Sequence, residues 1–597
     1  MVLVVVLVLI AILSLSGYTF SELMFAEYRA AEMTVRQAQA RVQAESGVEA
    51  ARVFLAQDLD VQQQTGGWYD NPAQFHAVVV SDDTRATRRG RFTFLAPRIE
   101  AGLQEGIRYG LENESAKLNL SLVLKVAKAS STSTGATGGG TAPAASGTSS
   151  STSTENAGRT MLMALPGMTE DVADAILDWL DSDDETRELG AEADYYNSQD
   201  PPYKPRNGVP KTLEELLRVR GVSASLLFGG DANRNGTIDG NESTNTLSQG
   251  SENADDASAR GWSAYLTLYS DESTAKGDGT AKVKLNQSDM QQLNNELQQY
   301  FSAEQAKYVT IYRQYGPTST GTARASPNDR LPRWSEHMLA FRADFPRHPL
   351  LTSLAVGATG LTRLALFAAM AADPKEPPPT LSNLQVDYTK EATIKLSTIL
   401  DLLESSVTVN SNKYDSPFTK EDLDTLMANT TVATGSSITG RINLNQAPRA
   451  VLAAIPGMTD ETLESIMSQR QEDPSTAAAE QQYETWPYTQ GLVDLATMKK
   501  MLPYVTTGGS VFRGTVVGYF DGGGPAARVE VVLDATVVPP RVLFWREVSQ
   551  LGRGYSLADL GAESGVAGTS SAPSANNAGT PGPGGSGNNL SPSMQHE

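Results

Sequence analysis

Thirteen apolar residues open the chain, MVLVVVLVLIAIL, and SLSGYTF extends the run to about Phe20. At ~1.5 Å per residue, a helix of that length is close to the thickness of a bilayer's hydrocarbon core. A signal peptide's apolar core is the alternative, but no A-x-A-like site follows. The next stretch, SELMFAEYRAAEMTVRQAQARVQAESGVEAARVFLAQDLD, holds no proline and only one glycine, Gly47. Its alanines and long polar side chains predict one continuous helix, apolar in front and amphipathic behind. The first reading is therefore a membrane anchor.

Strand-like runs follow at HAVVVS (76–81), RFTFLAP (91–97) and IRYGLENE (107–114). They return only near the other end, as SVFRGTVVGYF, ARVEVVLDATV and RVLFWREV, separated by DGGGPA and PP. Val, Phe and Tyr dominate these runs, and turn residues bound them. Between them the pattern is mostly helical. The prediction is an α+β fold: one sheet built from both chain ends, with a large, mainly helical domain inserted between them. The boundaries are 1–20 for the membrane segment, 21–114 for the first part of the sheet domain, 115–507 for the insert and 508–550 for the last strands.

Two segments have too few apolar residues to order themselves: the Ser/Thr/Gly/Ala tract 130–158 and the tail 564–597. The apolar stretch LTRLALFAAMAADP, within 298–430, is too short and interrupted to span a membrane, and no function is assigned to it. The insert also repeats itself. KLNLSL (117–122), KLNQSDMQQL (284–293) and INLNQAPRAVL (442–452) share an opening, and MLMALPGMTEDVADAILDWL matches LAAIPGMTDETLESIMSQR closely. The middle copy lacks the Pro-Gly element.

Composition narrows the chemistry. With 48 basic against 69 acidic residues, the net charge of -21 repels phosphate polymers and favours divalent cations. There is no cysteine, so disulfides, thiolate zinc sites and cysteine nucleophiles are excluded. The four histidines show no metalloprotease spacing, and neither G-x-S-x-G nor a Walker-type loop occurs. An enzyme is not expected.

Residues 441–470 read as a helix-hairpin-helix, a unit best known for gripping DNA. Asn445 is the predicted N-cap with Pro448 in the first turn, Pro456-Gly457 breaks the helix, and Thr459 caps the next one. DNA-binding versions place a second glycine where Thr169 and Thr459 stand, letting backbone amides reach a phosphate. Here Glu170-Asp171 and Asp460-Glu461 occupy the helix N-termini and repel a second anion. Residues 441–473 hold three Arg and no Lys against five acidic residues. A packing unit is the better reading, and nucleic acid is not an expected partner.

DANRNGTIDGNE, residues 231–242, fits D-x-[DN]-x-[DN]-G-x5-E at every fixed position. Calcium requires six to eight hard oxygens on a tightly curved backbone. Asp231, Asn233 and Asn235 would supply the first ligands, Gly236 the turn, and Thr237 its carbonyl. Asp239 would bind directly or through water, and Glu242 as a bidentate carboxylate; Ile238 would anchor the loop. The bland alternative is a solvated Asn/Asp/Gly turn. A second acidic cluster, within 178–196, offers Asp181, Asp183, Asp184, Glu192 and Asp194 as a further cation site. There the solvated loop is the preferred reading.

Taken in order, the apolar helix followed by AESGVEAAR, then LENESAKLNLSL, DWLDSDDE, GAEADYY with PPYKPRNG, TLEELLRVRGV, INLNQAP and the terminal strands resemble one family. It is the K component of type II secretion systems, a large minor pseudopilin, and the resemblance runs to about residue 550. It implies a pilin-like domain interrupted by a helical one, cleaved by a prepilin peptidase. It further implies a place beside the I and J minor pseudopilins at the tip of a periplasmic pseudopilus, contact with the inner-membrane secretion platform, and calcium in the insert. Most pilins carry a glutamate five residues into the mature helix; the K component does not, and no acidic residue precedes Glu22 here. No Lys or Arg precedes the apolar run, so Met1 is expected to be an internal start. The rival readings are a membrane-anchored DNA-uptake protein and an anchored calcium-dependent adhesin.

Overall fold

The computed structural model describes residues 2–100, 103–132, 157–238, 242, 260–318 and 380–562. Most of the 130–158 tract, the apolar stretch 361–374, Asp239 and the tail 564–597 lie outside the described residues. Helix α1 (Val2–Leu55) runs through the predicted apolar and amphipathic halves without a break. Its side chains are exposed as far as Val35, after which Ala40, Ala44, Val48, Ala51 and Leu55 are buried. Among the described residues it alone is long and apolar enough to cross a membrane.

The buried half of α1 lies on an antiparallel sheet. The first chain end gives β1 (Val78–Ser81), β2 (Gly90–Glu100), β3 (Leu103–Arg108) and β4 (Glu112–Asn113). The other end gives β5 (Val511–Phe520), β6 (Ala527–Asp534) and β7 (Arg541–Glu547). The order is β1-β2-β5-β6-β7, with β3 on β2 and β4 on β5. The predicted strand 107–114 is thus two pieces, because the chain turns at Gly110, where the Leu111 amide donates to the Trp68 carbonyl at 2.9 Å.

Period-two alternation decides what each face does. Val529, Val531 and Leu533 of β6 join Phe92, Phe94 and Val516 under α1. Each such side chain contributes roughly 1.5–3 kcal/mol on burial. A Cβ on Gly518 would lie 2.1 Å from the Ala40 carbonyl oxygen, so glycine is what lets helix and strand approach. The other face of β6 presents Arg528, Glu530 and Asp534. Part of the opposite side is covered by the segment after β7, which continues past the expected boundary at 550. Tyr555, Leu560 and Ala562 pack there on Leu95, Val517 and Tyr519.

The chain enters and leaves the insert side by side. Asn113 donates from Nδ2 to the Gly508 carbonyl at 3.0 Å, and β4 pairs with β5 at Phe512 and Arg513. Inside the insert the repetition is threefold. Leu118–Asn119, Val283–Lys284 and Ile442–Asn443 each form a short parallel pair, with Leu266–Thr267, Thr430–Thr431 and Val505–Thr506 respectively. Each partner strand ends in a threonine whose hydroxyl accepts from the amide two residues on, at 3.0, 3.1 and 3.0 Å. This register makes Asn119 equivalent to Asn443 and to Lys284, the latter two residues away from the match that the shared KLN suggests.

A helix pair follows each opening. In the first copy α2 (Leu120–Thr132) and α3 (Ala157–Met163) precede α4 (Glu170–Leu180); in the middle copy the pair is α5 (Met290–Leu297) and α6 (Ala303–Tyr315). The third pair is α7 (Arg449–Ala453) and α8 (Asp460–Gln469). The middle copy therefore keeps two helices without Pro-Gly; Ser302 starts the second with a capping box to Gln305.

Candidate cation sites

The twelve-residue loop begins just after the short helix Ala224–Phe228, which Ser223 caps by accepting from the Leu226 amide at 3.2 Å. Asp231 turns inward and its carboxylate organises the curve: Oδ1 accepts from the Asn235 amide at 3.0 Å and Oδ2 from the Gly236 amide at 2.8 Å. Gly236 sits at φ +81°, a conformation that disfavours a side chain. The Asn235 carboxamide oxygen accepts from the Thr237 amide at 2.8 Å. The Asn233 amide donates to Glu242 at 3.1 Å, drawing the twelfth position back over the third. Burial pushes the Asp231 carboxyl up to about 6 against those two amide bonds, and Glu242 adds repulsion. Asp231, Asn233, Asn235, Thr237 and Glu242 are thus gathered in one loop, and Asp239 lies outside the described residues.

The second cluster differs from its expected solvated state. Asp181 and Glu192 are buried, and Asp178, which sequence reading passed over as part of the helix, is fully buried beside them. Asp178 takes the Arg187 amide at 3.3 Å and its guanidinium at 3.2 Å, while Asp181 takes the same guanidinium at 3.0 Å. Both Glu192 carboxylate oxygens are buried with no hydrogen-bond partner. Burial pushes Asp178 and Glu192 up to about 7, with Asp178, Asp181, Asp184 and Asp183 adding to Glu192. Asp183 and Asp184 stay exposed, Asp184 bound by the Asn207 amide group at 2.9 Å. Asp194 is exposed in the first turn of the short helix that Glu192 begins. Among the described residues no three Asp, Glu or His side chains already converge as a metal would hold them.

The turns of the two Pro-Gly helix pairs are open to solvent at Gly167, Thr169, Gly457 and Thr459. The Pro166 carbonyl accepts from the buried Trp262 indole at 2.8 Å, and Lys500 and Met501 lie beside Gly457. Arg441 and Arg470 are bound to carboxylates at 2.9 Å (Glu272) and 2.7 Å (Glu472), and Arg449 to Glu464. The expected cap at Asn445 is corrected: Pro448 is the N-cap, because Asn445 is buried and its oxygen is claimed by the Trp486 indole at 3.0 Å. Thr459 does cap α8, accepting from the Thr462 amide at 3.2 Å.

A long apolar helix whose second half packs on an antiparallel sheet, in an α+β chain, defines a pilin-like protein with a single-pass anchor. Residues 116–228 match the family model described as Type II secretion system (T2SS), protein K. The resemblance drawn from the sequence is thereby supported over these residues, and the apolar N-terminal helix is consistent with a membrane anchor. That family consists of structural secretion components. The match covers the first repeat and stops short of the 231–242 loop. No curated protein matches the chain.

Proposed function

We propose that this protein is the tip subunit of a type II secretion pseudopilus. It would sit beside the I and J minor pseudopilins, with its bulk on the periplasmic side, and support pseudopilus initiation and export across the outer membrane. The observations that carry this reading are the match of residues 116–228 to the protein K family and an α1 whose residues 3–35 are exposed and available to neighbours. Site-specific gold labelling of the full chain in assembled pseudopili tests this. Label confined to one end is expected; label along the length would overturn it.

Calcium belongs to the same proposal. The loop supplies only hard oxygens, and the buried, amide-oriented Asp231 fits a ligand already set in place. Glu192, with two buried oxygens and no donor, fits a second cation held with Asp181 and Asp178. Bound calcium would neutralise these carboxylates and fix the segments that carry them. Calorimetric titration of the metal-stripped full chain in detergent is expected to show saturable uptake; none at millimolar calcium would refute it.

The DNA-uptake reading has no observation in its favour. The turns that would meet phosphates carry Glu170-Asp171 and Asp460-Glu461 in the first turn of the helix that follows, which repel an anion.

A further inference from the structure

The 231–242 loop belongs to the insert in sequence, yet its backbone is held by the pilin-like sheet. Among the described residues, hydrogen bonds cross the boundary at three places. Arg528 of β6 donates from Nη2 to the Asn233 carbonyl. Tyr555 donates its hydroxyl to the Asn235 carbonyl at 2.7 Å. The Asn235 carboxamide donates from Nδ2 to the Gly554 carbonyl at 2.7 Å. That last bond fixes which way the amide faces, leaving its oxygen on the loop side, where it meets the Thr237 amide. Metal-binding side chains are commonly oriented by such outer partners, and removing one typically costs about 10–100-fold in affinity.

The donors are themselves built in. Arg528 is fully buried, and the chain passes over it at Gly554, where a Cβ would come within 1.9 Å of its guanidinium. Gly554 takes φ +84°, so the residue type and the crossing depend on each other. The Tyr555 ring is anchored in the cluster of Leu95, Val517 and Tyr519. The segment's next turn is tied to the sheet where Thr93 donates to the Leu560 carbonyl at 3.1 Å and Tyr109 to the Asp559 carbonyl at 3.1 Å.

We propose that Arg528, Gly554 and Tyr555 are positioning residues for the calcium loop, so that cation binding and the seating of segment 549–562 on the sheet are one coupled event. This rests on the calcium reading of the loop. Coupling of this kind is reciprocal: what the sheet gives the loop in affinity, the bound ion returns as order in the segment.

The test uses the metal-stripped full chain in detergent, titrated calorimetrically with calcium. Tyr555→Phe keeps the ring and deletes one oxygen; it is expected to weaken calcium binding about tenfold. Arg528→Met should weaken it at least as much, whereas Arg528→Lys, which keeps a donor, should recover part of the loss. If Arg528→Met fails to fold, the tyrosine variant alone decides. In parallel, hydrogen exchange of residues 549–562 should slow when calcium is added to the parent chain, and not in Asp231→Asn. Parent-like affinity in Tyr555→Phe together with calcium-independent exchange in 549–562 would overturn the coupling while leaving the calcium loop intact. No uptake in the parent chain would refute the loop reading itself, and the coupling with it.

Discussion

At the seam between sheet and insert, Glu112, Glu114, Glu214 and Glu530 face Lys117, Arg234, Arg513 and Arg546, one cation for each carboxylate. At the end of α4, Asp178 and Asp181 share Arg187, with Lys128 acting on Asp181 from further off, and Glu192 beside them has no donor. Both places bury acid, and the consequences run in opposite directions. Burial raises the Glu530 carboxyl, but Arg513 and Arg546 more than reverse it and hold it at about 2. Burial of Asp178 and Glu192 is not reversed, and both stand at about 7. The seam is complete with protein atoms alone. The α4 cluster is short of positive charge, which is the condition under which a divalent cation stabilises a fold most.

Removing a cation from the seam should therefore have the largest effect. Arg513 bonds Glu114 at 2.5 Å and also Glu530, and Glu114 is fully buried. Arg513→Met leaves both carboxylates uncompensated, an expected loss of about 3–5 kcal/mol. The midpoint of thermal unfolding of the full chain in detergent reads it directly. A midpoint equal to that of the parent chain would mean that the seam's charges are screened by water, and the contrast drawn here would fail.

Removing charge from the α4 cluster should do the reverse. Without calcium, Glu192→Gln is expected to stabilise the chain by on the order of 1–3 kcal/mol, since it deletes an unmet buried charge. With calcium at about 100 times its dissociation constant, the parent chain should gain about 2.7 kcal/mol per site, and the variant should lose the share due to this site. The pH dependence follows the same split. Glu530, lowered, adds stability above its ordinary range near 4.5, and this is lost as pH falls toward about 2. Asp178 and Glu192, raised, add stability below about 4, and this is lost as pH rises through about 7. Calcium-free unfolding midpoints between pH 4 and 8 should fall with pH in the parent chain and fall less in Glu192→Gln. A calcium-free Glu192→Gln that is less stable than the parent would show that the carboxylate is matched after all.

How much of this was legible follows from the range of each signal. The anchor helix, the strands of the sheet and the insertion between them follow local patterns of apolar residues, and those can be read directly. The loop 231–242 stood out because the ligands proposed for calcium are spaced along one backbone turn. The partner strands Leu266–Thr267, Thr430–Thr431 and Val505–Thr506 were not legible: two-residue ladders carry no periodicity, and their partners are far away in the chain. Arg528 gave no local hint either, since an arginine in an alternating strand reads as solvent-facing until the other domain is placed over it. Asp178 was missed for a related reason. It lies on α4 four residues after Asp174, where an exposed acidic stripe is the ordinary reading, whereas Asp174 is in fact bound by Arg159 at 2.7 and 2.5 Å.

The third helix pair marks the small end of the comparison. Arg449 and Glu464 are both about half exposed, so their ion pair is matched like the seam but solvated. Exposed pairs contribute about 0–1 kcal/mol. Arg449→Ala should accordingly move the unfolding midpoint within error and leave calcium uptake unchanged. It also tests the DNA-uptake reading, because Arg449 is the most exposed of the three arginines in this segment. In an electrophoretic shift assay at low salt the parent chain is expected to leave duplex DNA unshifted, as the carboxylates at its turns and its net charge of -21 require. A shift that disappears with Arg449→Ala or with added salt would place a phosphate contact on this surface and reverse the assignment of the helix pair to packing.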